Sequence, residues 1–159
     1  MTPSKIGPFA TTGELMWQLR DIRGKCPNSG YSFYSASCFN KVKPAVKDSL
    51  QNSFNRYPAL VPPMTWLDDK APAAPVLKAA GNKLEWQTAN PTKEPLRYVV
   101  YRFNAGEKVD LERNDRIISI QQETSFKDTE AGAHKQATYV VTALDRVWNE
   151  SAASNTVKL

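Results

Sequence analysis

The stretch ATYVVTALDRVWNES, residues 137–151, decides the fold of this chain. In its first half, Tyr139, Val141 and Ala143 recur at every second position, which is the period of a β-strand. Aspartate, asparagine and serine follow, and residues of this kind end strands and form turns. The stretch therefore predicts a late strand of a β-rich domain.

Short alternating segments of the same kind recur through the second half of the chain. They fall at residues 76–79, 83–87, 97–103, 117–121, 124–126, 138–145 and 155–158. Turn-forming residues such as Gly81 and Asn82 separate them. About seven short strands in roughly 90 residues predict an immunoglobulin-like β-sandwich over residues 72–159.

The same alternation predicts which side chains fill the sandwich. Leu84 and Trp86 are expected to point inward, as are Tyr139, Val141 and Ala143. Because the sandwich has no pair of cysteines, Trp86 is expected to be the main filler between the two sheets.

The first half of the chain has a different pattern. Apolar residues at helical spacing predict a helix over residues 12–23, and an aromatic-rich run predicts a strand over residues 30–35. A second helix is expected to begin at Asn40 or Lys43. Helix, strand and helix in this order are typical of a parallel α/β fold, so residues 1–56 are expected to be an α/β segment. One such unit cannot bury its own apolar stripes, so either it packs on its neighbour or it is left from a larger domain, such as a barrel of ~250 residues.

Residues 57–71 are expected to form a stiff connector, because residues 57–75 hold five of the chain's 11 prolines. Tyr57, Leu60, Met64 and Trp66 give this connector apolar anchors. We therefore expect it to lie against a surface and to make interdomain packing contacts.

The net charge of +5 does not indicate a nucleic-acid partner. The first 69 residues hold 8 basic against 5 acidic residues, and the remainder holds 13 against 11, with both signs interleaved. Nucleic-acid binders concentrate their positive charge on one face. No apolar run is long enough to span a membrane, so no transmembrane segment is expected in this chain.

Residues 72–159 resemble a fibronectin type III domain of the kind appended to bacterial polysaccharide enzymes. The resemblance rests on Leu84-Glu85-Trp86, on YVVYR at residues 98–102 and on YVVTALD at residues 139–145, followed by Asn149-Glu150-Ser151. It implies that Tyr139 occupies the tyrosine-corner position.

The upstream segment is similar to the last part of the barrel in the glycosyl hydrolase-like family 10 proteins. GYSFYS at residues 30–35 resembles their eighth strand, and YPALVPPM at residues 57–64 with Trp66 resembles the exit from their last helix. These are secreted or lipid-anchored bacterial proteins with a (β/α)8, or TIM, barrel followed by such a sandwich. The resemblance implies a fragment of an exported (periplasmic, cell-surface or secreted) precursor, with the rest of the barrel as a partner.

No catalytic residue, metal site or cofactor is predicted on this chain. Glycosidases usually place two carboxylates beside the scissile bond, and in a barrel these lie at the C-terminal ends of strands. The presumed seventh strand ends at residues 6–9 without an acid, and Glu14 is explained by helix capping. His134 is the only histidine, and the two cysteines form no CxxC pair. This fragment alone is therefore expected to be inactive.

Four residues are candidates for binding a polysaccharide or oligosaccharide. Ser35, Ser37 and Asn40 lie at the end of the presumed eighth strand. In one interpretation they line a sugar subsite; in the other they only end the strand and cap the next helix. Among the aromatic residues, Trp148 is the one most expected to be exposed, either stacking on a sugar or partner protein or lying against the connector or barrel.

Two other functions stay open. One is a carbohydrate-binding module whose platform is Trp148 with the aromatic residues of the third strand, Tyr101 and Phe103. These alternate with Val100 and Arg102, so one of the two sets is expected to face outward. The other is a structural or protein-interaction module that leaves apolar residues 57–66 exposed.

Overall fold

The computed structural model describes residues 12–26, 30–32, 44–88 and 96–159. The chain divides into two compact units, Met1–Arg56 and Tyr57–Leu159. Residues 57–71, the predicted connector, thus lie in the second unit. The described chain is mostly β, with two antiparallel sheets and few helices.

The described part of the first unit is mostly helical. Helix α1 spans Thr12–Lys25, two residues longer than predicted, and α2 spans Pro44–Ser49 and continues as a π-helical turn over Leu50–Phe54. Pro44 suits the first turn because the amide there needs no partner within the helix. The buried side chains are Leu15, Met16, Leu19 and Leu50.

The predicted strand at residues 30–35 lies mostly outside the described residues. Residues 30–32 form no regular secondary structure. Tyr31 Oη donates a hydrogen bond to Asn55 Oδ1 at 2.8 Å, and Arg23 donates to the Phe54 carbonyl at 2.8 Å. These bonds connect residue 31 and α1 to the end of the π-helical turn.

The described part of the second unit contains seven strands. They are β1 (Val76–Ala80), β2 (Lys83–Gln87), β3 (Arg97–Phe103), β4 (Ile117–Gln121), β5 (Ser125–Lys127), β6 (Thr138–Leu144) and β7 (Val157–Lys158). All seven were predicted, and their ends differ from the prediction by at most two residues. They form the antiparallel sheets β1-β2-β5 and β4-β3-β6-β7.

One apolar cluster lies between the two sheets, as in a β-sandwich. It contains Leu84 and Trp86 from β2 together with Tyr139, Val141 and Ala143 from β6. The indole of Trp86 is 3% exposed and meets the ring of Tyr98 edge-on, with the ring centroids 5.6 Å apart.

The expectation that one of the two sets of β3 side chains faces outward is wrong, and this includes the set of Tyr101 and Phe103. Both are fully buried, like Val100, and every residue of β6 is buried as well. A second apolar cluster covers the other face of this sheet, where Leu60 of the connector and Trp148 pack. The alternation of side chains does not predict exposure here, because residues outside the strands cover the face of the sheet that was expected to be solvated.

Serine and asparagine side chains attach the closing segment to both sheets. The backbone amides of Ala143 and Val141 donate to the hydroxyls of Ser151 and Ser154 at 2.9 and 3.0 Å. The side chain of Asn155 bonds both the amide and the carbonyl of Leu77 at 2.9 Å, which links β1 to the segment that leads into β7 of the other sheet.

Asp128 is a buried carboxylate that anchors β6 to β3. Its Oδ2 accepts hydrogen bonds from Tyr139 Oη at 2.6 Å and Arg102 Nη1 at 2.8 Å, and its Oδ1 accepts from the Glu130 amide at 2.8 Å. Burial alone raises the pKa of Asp128, but these three donors outweigh it and lower that pKa below its usual range. Burial and the same carboxylate raise the pKa of Tyr139, so its hydroxyl stays protonated and donates.

Candidate functional site

A groove of about 670 Å³ lies on the second unit and is its best candidate for a functional site. Three separate parts of the chain line it: the connector at residues 59–63 and 71, the region at residues 111–117, and the loop at residues 148–150. Its size is within the range of small-molecule sites.

Hydrogen bonds fix the connector that forms one wall of the groove. The Met64 amide donates to the Val147 carbonyl at 2.9 Å, and Asn149 Nδ2 donates to the Asp68 carbonyl at 2.8 Å. Leu60 also packs into the second apolar cluster. This wall is therefore part of the sandwich unit, although its prolines alone indicate a spacer.

Asp145 shapes the loop that carries Trp148. Its Oδ1 accepts from the amides of Val147 and Asn149, both at 2.9 Å, and its Oδ2 accepts from Asn149 Nδ2 at 2.9 Å. Trp148 lies in the left-handed region with a φ of 69°, which costs backbone energy and persists because this network holds the loop. The guanidinium of Arg97 lies 4.9 Å from the centre of the indole ring, which further fixes its orientation.

Glu150 lines the groove and is held in place by side chains of strands β3 and β6. Its Oε1 accepts hydrogen bonds from Tyr101 Oη at 2.7 Å and Thr142 Oγ1 at 2.6 Å. Burial, and then the bond to Glu150, raise the pKa of Tyr101 well above its usual value. Tyr101 therefore remains a donor, and Glu150 is a fixed acceptor whose Oε2 has no partner among the described residues.

Glu112 supplies a second carboxylate to the groove. It is exposed and forms no ion pair with any residue that the structure describes. The neighbouring cations are already engaged, because Arg113 and Arg116 bond to Glu107 and Asp115 at distances from 2.7 to 3.6 Å. Hydrogen bonds from these arginines lower the pKa values of Glu107 and Asp115.

The structure brings only one of the four predicted sugar-binding residues to this groove. Trp148 lines it, whereas Ser35, Ser37 and Asn40 lie outside the described residues. Trp148 is half-buried rather than exposed. Trp66 is 77% exposed, far more than Trp148.

The four predicted packing residues of the connector divide into two pairs. Leu60 and Met64 are half-buried in the second unit. Tyr57 and Trp66 are exposed, at 42% and 77%. Because Tyr101 and Phe103 are buried, the predicted third-strand platform for a carbohydrate does not exist.

Glu112 and Glu150 were missed as site residues by sequence reasoning. Glu112 lies in a region of mixed charge, and nothing in the sequence distinguishes it from its neighbours. Glu150 follows Asn149 in the motif that closes the sandwich. Its place in that motif is the one signal in the sequence that could have identified it as a site residue. They are 38 positions apart in the chain, and only the fold brings them to one groove.

Neither a metal site nor a membrane span is found where the structure describes the chain. Within those ranges, no three histidine, cysteine, aspartate or glutamate side chains form a group able to hold a metal ion. No described helix has the length and apolar character that crossing a membrane requires.

The second unit thus belongs to the class of β-sandwich domains, with a groove of mixed polarity on one face. The chain is 37% identical over 133 residues to glycosyl hydrolase YngK of Bacillus subtilis (strain 168). The match covers 79% of this chain, which spans about a quarter (26%) of that longer protein. No protein-family model matches the chain.

Proposed function

We propose that this chain is a non-catalytic portion of a glycoside hydrolase-like protein. The observation that carries the proposal is the 37% identity to a protein named a glycosyl hydrolase, over most of this chain but only 26% of that relative. In this proposal the α/β segment, residues 1–56, is the end of a barrel of the glycosyl hydrolase-like family 10 type. The sandwich is its accessory domain.

The finer assignment of the sandwich is to the fibronectin type III class. The strand order β1-β2-β5 and β4-β3-β6-β7 supports it, as does the position of Tyr139 on β6 near the preceding corner. In this structure the tyrosine hydroxyl bonds the Asp128 side chain rather than a backbone group, which is a departure from the usual tyrosine corner.

The chemistry of the groove supports a non-catalytic role. A glycosidase needs one carboxylic acid that gives a proton to the leaving oxygen and a second carboxylate as nucleophile or base. Glu150 is held by the fold as a hydrogen-bond acceptor, because Tyr101 and Thr142 donate to its Oε1. The catalytic acids of the whole protein are expected on the rest of the barrel.

The connector supplies the surface for docking the sandwich on the barrel in this proposal. Tyr57 and Trp66 are its exposed aromatic groups, and their burial against the barrel would gain roughly 25 cal/mol per Å². We also propose that the protein is exported. Fractionation of source cells, with this chain's antiserum as probe, tests that location directly.

The size of the native product tests the main proposal. An immunoblot of source cells is expected to show a band larger by most of a ~250-residue barrel. A native band at 17.8 kDa would overturn it.

Hydrolysis assays give a second, independent test. The isolated chain is expected to release no reducing ends from a panel of polysaccharides. Specific hydrolysis that is lost in Glu150→Gln and kept in Glu123→Gln, an exposed glutamate outside the groove, would contradict the non-catalytic role.

A further inference from the structure

The groove has a charge pattern that restricts its occupant. Two carboxylates, Glu112 and Glu150, line it, and no basic side chain does so among the described residues. Glu112 has no described ion-pair partner, and Glu150 keeps one oxygen without a described partner. An anionic ligand would meet like charge at both positions, so the occupant is neutral or positively charged.

The remaining lining is mostly apolar and includes two amide side chains, those of Asn114 and Asn149. Leu60, Leu111, Ile117 and Trp148 contribute the apolar part, and Asn114 contributes an exposed amide. An apolar surface with a few fixed hydrogen-bonding groups is the common composition of small-molecule sites. A ligand that fits it has apolar C–H faces and hydroxyl donors on the same rings.

The groove is also held rigid before any ligand enters. Arg97 fixes the indole, Asp145 holds the loop beneath it, and Tyr101 and Thr142 hold Glu150. Asn149 ties the opposite wall through the Asp68 carbonyl. Groups fixed in this way lose little conformational entropy on binding, which favours affinity.

We propose that this groove is a binding site for an uncharged saccharide chain. The indole of Trp148 contacts a sugar ring, and Glu112 and the second oxygen of Glu150 accept hydrogen bonds from sugar hydroxyls. The choice of a saccharide over a basic peptide rests on the proposed function, while the exclusion of anions rests on the groove alone. The sandwich then holds substrate close to an attached hydrolase, in addition to packing on it.

NMR titration of the full chain tests this directly. Neutral cello-, xylo- and chito-oligosaccharides are the probes, with oligogalacturonate as the acidic counterpart. The chain has four tryptophans, so four indole N–H resonances report on separate places. Trp148 is expected to shift saturably with at least one neutral probe, while exposed Trp66 serves as the internal control and stays unchanged.

A pair of glutamate variants assigns the site. Glu112→Gln is expected to weaken binding about fivefold to tenfold, because a charged acceptor becomes a neutral one. Both Glu112 and Glu123 are exposed, so neither change should affect folding, and Glu123→Gln is expected to leave affinity unchanged.

Three results would overturn the proposal. These are no shift of Trp148 up to about 10 mM of any neutral probe, equal weakening by both glutamate variants, or binding of oligolysine but of no saccharide. None of them bears on the native size of the protein, so the immunoblot decides the proposed function separately. If the native protein is 17.8 kDa and still binds a saccharide, the groove remains a saccharide site, and the proposal that the chain is part of a larger hydrolase is wrong.

Discussion

The bond between Tyr139 and Asp128 is expected to be one of the strongest single polar contacts of the sandwich. Tyr139→Phe removes one donor from a carboxylate that is 4% exposed. Hydrogen bonds to charged groups contribute about 1.5–3 kcal/mol, and Asp128 keeps Arg102 and the Glu130 amide as donors. We therefore expect a loss of about 2 kcal/mol. In a unit of about 100 residues this lowers Tm by roughly 8–16 °C.

Tyr98→Phe is the matched control for this variant. Tyr98 is also buried and its hydroxyl bonds Thr88 Oγ1 at 2.6 Å, so it loses a bond between two neutral groups. That loss is expected to be about 1 kcal/mol. Urea unfolding, followed by tryptophan fluorescence, measures both variants under the same conditions.

The pH dependence separates the two variants further. Asp128 has a lowered pKa when folded, so the folded state binds fewer protons than the unfolded state. Its stabilising contribution is present above the unfolded value of about 3.9 and is lost as the pH falls through the folded pKa. The difference between the native chain and Tyr139→Phe should therefore be constant near neutral pH and shrink as the pH falls below about 3.9 toward the folded pKa of Asp128. The difference between the native chain and Tyr98→Phe should stay constant over the same pH range. Equal losses of unfolding free energy in the two variants, with the same pH dependence, would refute this reasoning.

Three further substitutions test the connector and the turns. Asn149→Ala removes the donor to the Asp68 carbonyl and is expected to speed tryptic cleavage at exposed Lys70, with a cost of about 1–3 kcal/mol in urea unfolding. Trp66→Ser should change the free energy of unfolding by less than about 0.5 kcal/mol, because that indole is 77% exposed. Gly106→Ala should cost about 1–2 kcal/mol in thermal unfolding, since φ is +76° there and the added methyl meets no atom within 4 Å.

The strands could be predicted because their signal is local. Alternation in segments such as residues 83–87 and 97–103 gives both the strand and its ends. The inward positions of Leu84 and Trp86 follow from the same period. The pattern could not show that the other face of β3 is covered, because the residues that cover it, such as Leu60, lie far away in sequence.

The groove could not be predicted for the same physical reason. Its lining comes from three segments, of which the Pro-rich one indicates a spacer and the one at residues 111–117 indicates only a mixed charged surface. What joins them is side-chain hydrogen bonding, such as that of Asn149 to the Asp68 carbonyl, and no periodicity encodes such bonds. Among the residues that line the groove, only Trp148 could be selected from the sequence as a sugar-binding candidate, because an indole in a loop is able to stack on a sugar ring.

The N-terminal boundary of the sandwich gives a last test. The sequence predicts that the sandwich begins at residue 72, whereas the contacts place the start of the compact unit at residue 57. A chain beginning at residue 72 loses the packing of Leu60, the bond from the Met64 amide and the Asp68 carbonyl that accepts from Asn149. Partial burial of one leucine and two hydrogen bonds contribute about 2–4 kcal/mol together. A chain of residues 57–159 is therefore expected to unfold at a clearly higher urea concentration than one of residues 72–159. The shorter chain should also expose the second apolar cluster and bind a hydrophobic dye. Equal urea midpoints for the two chains would mean that residues 57–71 are a spacer after all, and the wall of the groove would then not be part of the sandwich.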